Sequence, residues 1–133
     1  MNSKPNTSYL LARLPVGMSM FGHGFERIPK LRAFAGHLAG QFDKTILPAP
    51  LVTFFGQVLP FFELLTGLLL LIGLFTRFGC ILGVLTMIAL IFGSSLLEQW
   101  ENVFTQIIYG AYFSLLFYFA GYNRYSMDSL FKK

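Results

Sequence analysis

Glu63 points most directly to chemistry, because it is the one charged side chain in an apolar stretch that runs from about Leu51 to Phe75. A carboxylate deep in a hydrocarbon layer costs several kcal/mol unless it is paired, protonated or hydrated, so a polar partner is expected. Counted from the ends of their segments, Glu63 falls near mid-membrane and Arg13 about one turn nearer the terminal side, within reach of a long guanidinium side chain. This predicts a buried Arg13–Glu63 pair. In a functional reading Glu63 relays a proton or anchors a ligand. In a structural reading the pair is a clasp that holds the first apolar segment against the second.

His23 lies in Phe21-Gly22-His23-Gly24-Phe25. The flanking glycines let a neighbouring helix or a ligand approach the backbone, and the imidazole can give or take a proton there. The bland alternative is a satisfied packing or interfacial histidine. Gln57, Thr66, Gln106 and Tyr109 are further polar groups in apolar segments, and helical spacing puts Gln106 and Tyr109 on adjacent parts of one face. With His23 and Glu63 they are expected to line one polar cavity, walled by Phe54, Phe61, Phe62 and Phe113. A flat lipophilic molecule with polar oxygens suits such a cavity, and a quinone is the obvious candidate. If no ligand binds, the same groups hydrogen-bond between helices.

Other chemistries find no footing. Cys80 is the only cysteine, so one chain can form neither a disulfide nor a dithiol shuttle, and Cys80 reads as a small packing residue. A bis-histidine haem lacks a partner for His23, because His37 falls in a connecting segment. No metal-ligand cluster is visible.

These groups must be positioned by helices in lipid. Of the 133 residues 55% are hydrophobic and 12% charged, about half the charged share of ordinary soluble domains. The fold class expected is an all-α membrane protein, a bundle of four transmembrane helices forming a single domain. The segments run from about 9 to 25, 51 to 75, 78 to 97 and 102 to 123, each long enough to cross a core about 30 Å thick. The polar start, Met1 to Ser8, precedes an apolar run with Arg13 in it, which reads as a retained first helix and not a signal peptide. Pro15 is near enough to the start of that helix to be tolerated, whereas Pro60 should kink the second or free a carbonyl. The net charge of +4 comes from basic residues set singly beside apolar spans, which suits anionic headgroups and not nucleic acid.

The connections set the layout. Gly73 to Arg77 allows only a tight turn, and Glu98 to Glu101 is nearly as short, with Trp100 suited to the interface. The long link holds Leu31, Phe34, Leu38 and Phe42 at helical spacing among Arg27, Lys30, Arg32 and Lys44. Over about residues 30 to 44 it reads as an amphipathic helix on the membrane surface, the alternative being an irregular loop. Four spans put both termini on one side. That side holds Lys4, Arg13, Arg77, Arg124, Lys132 and Lys133 against Arg27, Lys30, Arg32 and Lys44 opposite, which favours cytoplasmic termini. Gly79 and Gly83, with Gly67 and Gly73, allow close packing within the bundle or between protomers of a homo-oligomer.

The order of motifs resembles the DoxX family of small bacterial four-helix membrane proteins. The resemblance rests on Leu11-Ala12-Arg13-Leu14-Pro15-Val16-Gly17, then Gly22-His23-Gly24, then Pro60 to Gly67 and Gly73-Leu74-Phe75-Thr76-Arg77, across roughly Leu10 to Ala89. It places family motif positions on Arg13, Gly17, His23, Glu63, Gly67, Gly73 and Arg77, and it implies a multi-pass protein of the bacterial cytoplasmic (inner) membrane. The family includes subunits linked to thiosulfate and quinone oxidoreduction and membrane partners of soluble redox enzymes, so fold transfers better than function.

Three functions compete. The first is a quinone-binding membrane subunit of an oxidoreductase, with Glu63 and His23 as the proton-exchanging groups, Arg13, Gln57, Gln106 and Tyr109 as ligand contacts, and a separate redox partner protein. The second is a non-catalytic scaffold or assembly factor in which Arg13 and Glu63 hold the bundle and the surface helix recruits a partner. The third is a small-solute exporter or channel built from a dimer. Cofactor analysis, the abundance of a Glu63→Gln variant and liposome flux distinguish them.

Overall fold

The structure is a computed structural model that describes residues 3–131, which are organised by helices throughout. Six helices follow one another: α1 (Lys4–Arg27), α2 (Leu31–Gln41), α3 (Ala49–Ile72), α4 (Thr76–Leu96), α5 (Trp100–Tyr118) and the short α6 (Met127–Phe131). Tight turns at Ile28–Lys30 and Ala120–Tyr122 carry the chain out of α1 and α5. Prolines near the first positions of α1 and α3 suit helix starts, where an N–H has no partner to lose. Pro15 and Pro60 lie inside helices that continue through them.

α1, α3, α4 and α5 pack around a common core in which Tyr9, Val16 and Met20 meet Leu70, Cys80, Met87, Phe113 and Leu116. α1 and α3 run antiparallel, and glycines fix their register. Gly17 faces Leu70 and Leu71, and Gly24 faces Pro60 and Leu64, while Gly67 sits against the Phe21 backbone. On α4, Gly79 meets Leu69 and Gly83 meets the Phe113 ring. These small residues therefore serve contacts inside one chain.

α3 and α4 are each long and apolar enough to cross a membrane. Exposed Leu68, Phe78, Ile81, Leu85, Ile88 and Phe92 cover their outer faces, and Phe104, Ile107 and Leu115 do so on α5. The interior, by contrast, holds Arg13 and Glu63, each 2% exposed. This is the distribution expected when lipid is the solvent.

The link between the first two long helices is helical over Leu31–Gln41. Its apolar stripe turns toward α3, with Ala35 buried against Gly56 and Leu31, Phe34 and Leu38 half-buried. Phe42 follows it into the bundle and meets Gly93 of α4.

Both described chain ends lie at one end of the bundle, stitched together by the C-terminal segment. Gly73 ends α3 in the left-handed region at φ 71°, and Phe75 follows at φ 46°, a conformation that costs an ordinary residue about 1–2 kcal/mol. Asp128 offsets this by accepting the Phe75 N–H at 2.6 Å and the Thr76 N–H at 2.9 Å, a helix cap supplied from far along the chain. Asp128→Ala should lower stability by about 1–2 kcal/mol in detergent unfolding. An unchanged unfolding midpoint would show that the turn holds without this cap.

Candidate functional site

Glu63 lies on the inner stripe of α3, with Leu59, Pro60, Thr66, Gly67 and Leu70 buried beside it. Its partner is Arg27, whose Nη1 donates to Oε1 at 2.9 Å. The two side chains differ in surroundings: Glu63 is 3% exposed and Arg27 28%. On its other side the Arg27 guanidinium stacks over the Phe34 ring, 4.6 Å from the centroid, so α2 braces the cation that meets the carboxylate.

The expected Arg13–Glu63 pair does not form. Arg13 Nη1 donates to Asn123 Oδ1 at 2.5 Å and Nη2 to the Tyr125 carbonyl at 3.1 Å. The reason is register. The Gly17 and Gly24 contacts put Arg13 beside Gly73, ten residues beyond Glu63 on α3, or about 15 Å along the axis. Arg27 falls opposite Glu63 because α1 continues past Phe25. Arg13 instead ties α1 to the C-terminal segment, where Asn123 also donates to Thr76 Oγ1 at 2.8 Å.

Above the ion pair is a cavity of about 290 Å³ lined by Met20, His23, Arg27, Glu63, Met87, Leu90, Asn102, Thr105, Gln106 and Tyr109. Four of the residues singled out in the sequence thus meet there: His23, Glu63, Gln106 and Tyr109. Gln57 does not join them, and borders a separate surface groove beside Pro29 and Lys30. Nor do Phe54, Phe61 and Phe62 wall the cavity. They are 63%, 49% and 43% exposed and face outward, while Phe113 is fully buried in the core. α3 is apolar on every side, so composition alone does not say which side points inward. The apolar lining is supplied by Met20, Met87 and Leu90.

The polar groups are arranged with some left unpaired. Tyr109 shares a 2.6 Å hydrogen bond with Ser19. His23 Nδ1 lies 2.6 Å from the Ser19 carbonyl. A carbonyl can only accept, so Nδ1 carries the proton and Nε2 remains free to accept one. Gln106 donates to Ser94 Oγ at 3.1 Å, and its buried Oε1 has no partner; Thr66, one turn beyond Glu63, does not line the cavity as expected, although its buried Oγ1 is also without a partner among the described residues. Buried acceptors without donors are unusual in proteins and suit a ligand hydroxyl or water. His23, Asn102 and Thr105 are exposed, so the cavity runs from an open rim between α1 and α5 down to the buried carboxylate.

Sequence reasoning missed Arg27, Asn102 and Thr105. Arg27 was discoverable from the seven-residue spacing of Gly17 and Gly24 against that of Pro60 and Gly67. A second, apolar cavity of about 290 Å³ adjoins the first, with Leu90 in both linings and the Ser94–Gln106 hydrogen bond between them. Among the motif glycines, Gly17 and Gly67 form the α1–α3 contact and Gly73 the turn. The Arg77 side chain is exposed and makes no hydrogen bond or ion pair with the described residues.

The fold and site define a small all-helical membrane protein with a buried ion pair beneath a polar cavity. The chain belongs to the DoxX family, whose family model, DoxX, matches residues 8–95. The matched stretch runs from within the first turns of α1 through nearly all of α4 and stops before α5, which contributes Gln106 and Tyr109. No curated protein and no solved structure matches the chain.

Proposed function

We propose that this protein is a four-span, quinone-binding membrane subunit that works with a separate redox partner protein. The observation that carries the reading is the cavity that leads from an exposed rim to the buried Glu63–Arg27 pair. Its donor set fits a quinone head group. Arg27 and Tyr109 offer hydrogens to ring oxygens, while Glu63, His23 Nε2 and the unpartnered Gln106 Oε1 accept from ring hydroxyls. At about 290 Å³ the space matches a head group and not a whole long-chain molecule. The apolar cavity beyond Leu90 provides room for the start of a hydrocarbon tail, which favours a lipophilic ligand over a free solute.

When bound, a quinone supplies two-electron, two-proton redox chemistry, with the electrons delivered or taken by the partner protein. The residues of this chain hold and move protons. Glu63 is fixed by Arg27 beside the head-group space, and His23, at the exposed rim, can pass a proton between that space and water. The outward apolar faces of α1 and α5, including Leu11, Met18, Phe104 and Ile107, support their crossing the bilayer with α3 and α4. Lys4, Arg77 and Arg124 support a cytoplasmic place for the terminal end in the inner membrane; Lys132 and Lys133, counted with them in the sequence, lie outside the described residues.

The scaffold reading keeps one specific support, since Arg27 and Glu63 already satisfy one another as a clasp between α1 and α3. Gently extracted protein is expected to retain quinone, and Glu63→Gln to reduce the retained amount about tenfold, the loss of roughly one charge-assisted hydrogen bond. Wild-type protein without quinone, together with a destabilised Glu63→Gln variant, would favour the scaffold instead.

A further inference from the structure

Arg77 and Arg124 border one groove of about 640 Å³ at the terminal end of the bundle, between the start of α4 and the end of α5. Both are exposed, and neither side chain makes a hydrogen bond or ion pair with the described residues. The one acid in the groove, Asp128, is already engaged: its oxygens accept the Phe75 and Thr76 N–H groups and Asn123 Nδ2. Two guanidinium groups therefore face the groove against a single carboxylate that caps a helix. Phe75 and Phe78, 64% and 54% exposed, border the same groove at the first turn of a helix long and apolar enough to cross a membrane. Paired cations beside exposed aromatics at the end of a span match a phosphate headgroup whose acyl chains run down the apolar face.

We propose that this groove binds the phosphate headgroup of one anionic phospholipid, with Arg77 and Arg124 as its two ligands. The site lies at the opposite end of the bundle from the Glu63 cavity, and the proposal does not depend on the redox reading. It also gives Arg77, a family motif position, a role in lipid contact. The capped α4 N-terminus contributes nothing to it, because Asp128 occupies those N–H groups. Gly121 lines the groove, and a Cβ built there meets nothing within 4 Å, so the groove can be filled without disturbing the fold.

The test is native mass spectrometry of the full chain in detergent, titrated with phosphatidylglycerol and, separately, phosphatidylcholine. Wild type should retain one phosphatidylglycerol with about thirtyfold preference over phosphatidylcholine, the scale expected for two cations near a headgroup. Arg77→Gln/Arg124→Gln should abolish the preference, and Gly121→Leu should do so with both charges intact. Arg32→Gln/Lys44→Gln removes two exposed charges at the other end of the bundle and should leave it unchanged. Equal retention of both lipids by wild type overturns the proposal, as does equal loss in the two charge-removal variants. Full competition by inorganic phosphate at the same concentration as the lipid would overturn the lipid assignment in favour of a plain anion site.

Discussion

Arg27→Gln is expected to lower the stability of the bundle by about 3–5 kcal/mol, the cost of leaving a buried carboxylate without its counter-charge. Glu63 is 3% exposed and makes no other ion pair with the described residues, so without Arg27 it must take up a proton or draw water into the cavity. The reverse substitution should be milder. In Glu63→Gln the Arg27 guanidinium keeps its stacking on Phe34 and, at 28% exposed, can be hydrated from the rim. Glu63→Gln should therefore cost about 1–2 kcal/mol, and the double variant, with two neutral amides facing each other, should be close to it. Unfolding in mixed micelles with increasing SDS gives all three values. Equal losses for the two single variants would mean that the cation is buried as completely as the carboxylate.

Gly67→Ala should cost about 3 kcal/mol, whereas Gly22→Ala on the partnering helix should be neutral or stabilise by up to about 1 kcal/mol. A Cβ at Gly67 would overlap the backbone of Phe21 and lie 2.7 Å from the Gly17 carbonyl oxygen. Backbone on the opposing helix cannot turn aside as a side chain can, so α1 would have to shift as a body. That shift would also pull Arg27 from Glu63, since both contacts belong to the α1–α3 interface. At Gly22 a Cβ meets nothing within 4 Å, and only the helix propensity of alanine acts. The same chemical change should thus have opposite signs on two facing helices, as read by thermal unfolding in detergent. A loss at Gly22 comparable to that at Gly67 would place the helix contact elsewhere.

Much of the architecture was legible because lipid imposes a simple code. Long runs with at most one charge gave the helices α3 and α4, and Gly73 marked the end of α3, where a left-handed residue is required. The spacing of Leu31, Phe34, Leu38 and Phe42 gave a helix, but not its neighbour: amphipathic spacing is the same whether the apolar stripe meets lipid or α3. The site was legible in part. Polar residues within apolar helices turn inward, which brought His23, Glu63, Gln106 and Tyr109 to one cavity. Facing could not be read where a helix is apolar all round, hence the misplaced Phe54, Phe61 and Phe62. Pairing was misread because helix register depends on glycine contacts between α1 and α3, not on counting from the ends. Arg27, grouped by sequence with the surface segment, belongs to the last turn of α1.

The partner of Glu63 is the point on which the account turns, and a pair of double-mutant cycles measures it. Glu63→Gln is combined with Arg27→Gln in one cycle and with Arg13→Gln in the other, each scored by unfolding free energy. The expected result is a coupling of about 3–5 kcal/mol between Glu63 and Arg27, and a value within about 0.5 kcal/mol of zero for the distant Arg13. Strong coupling to Arg13 with none to Arg27 would contradict the site described.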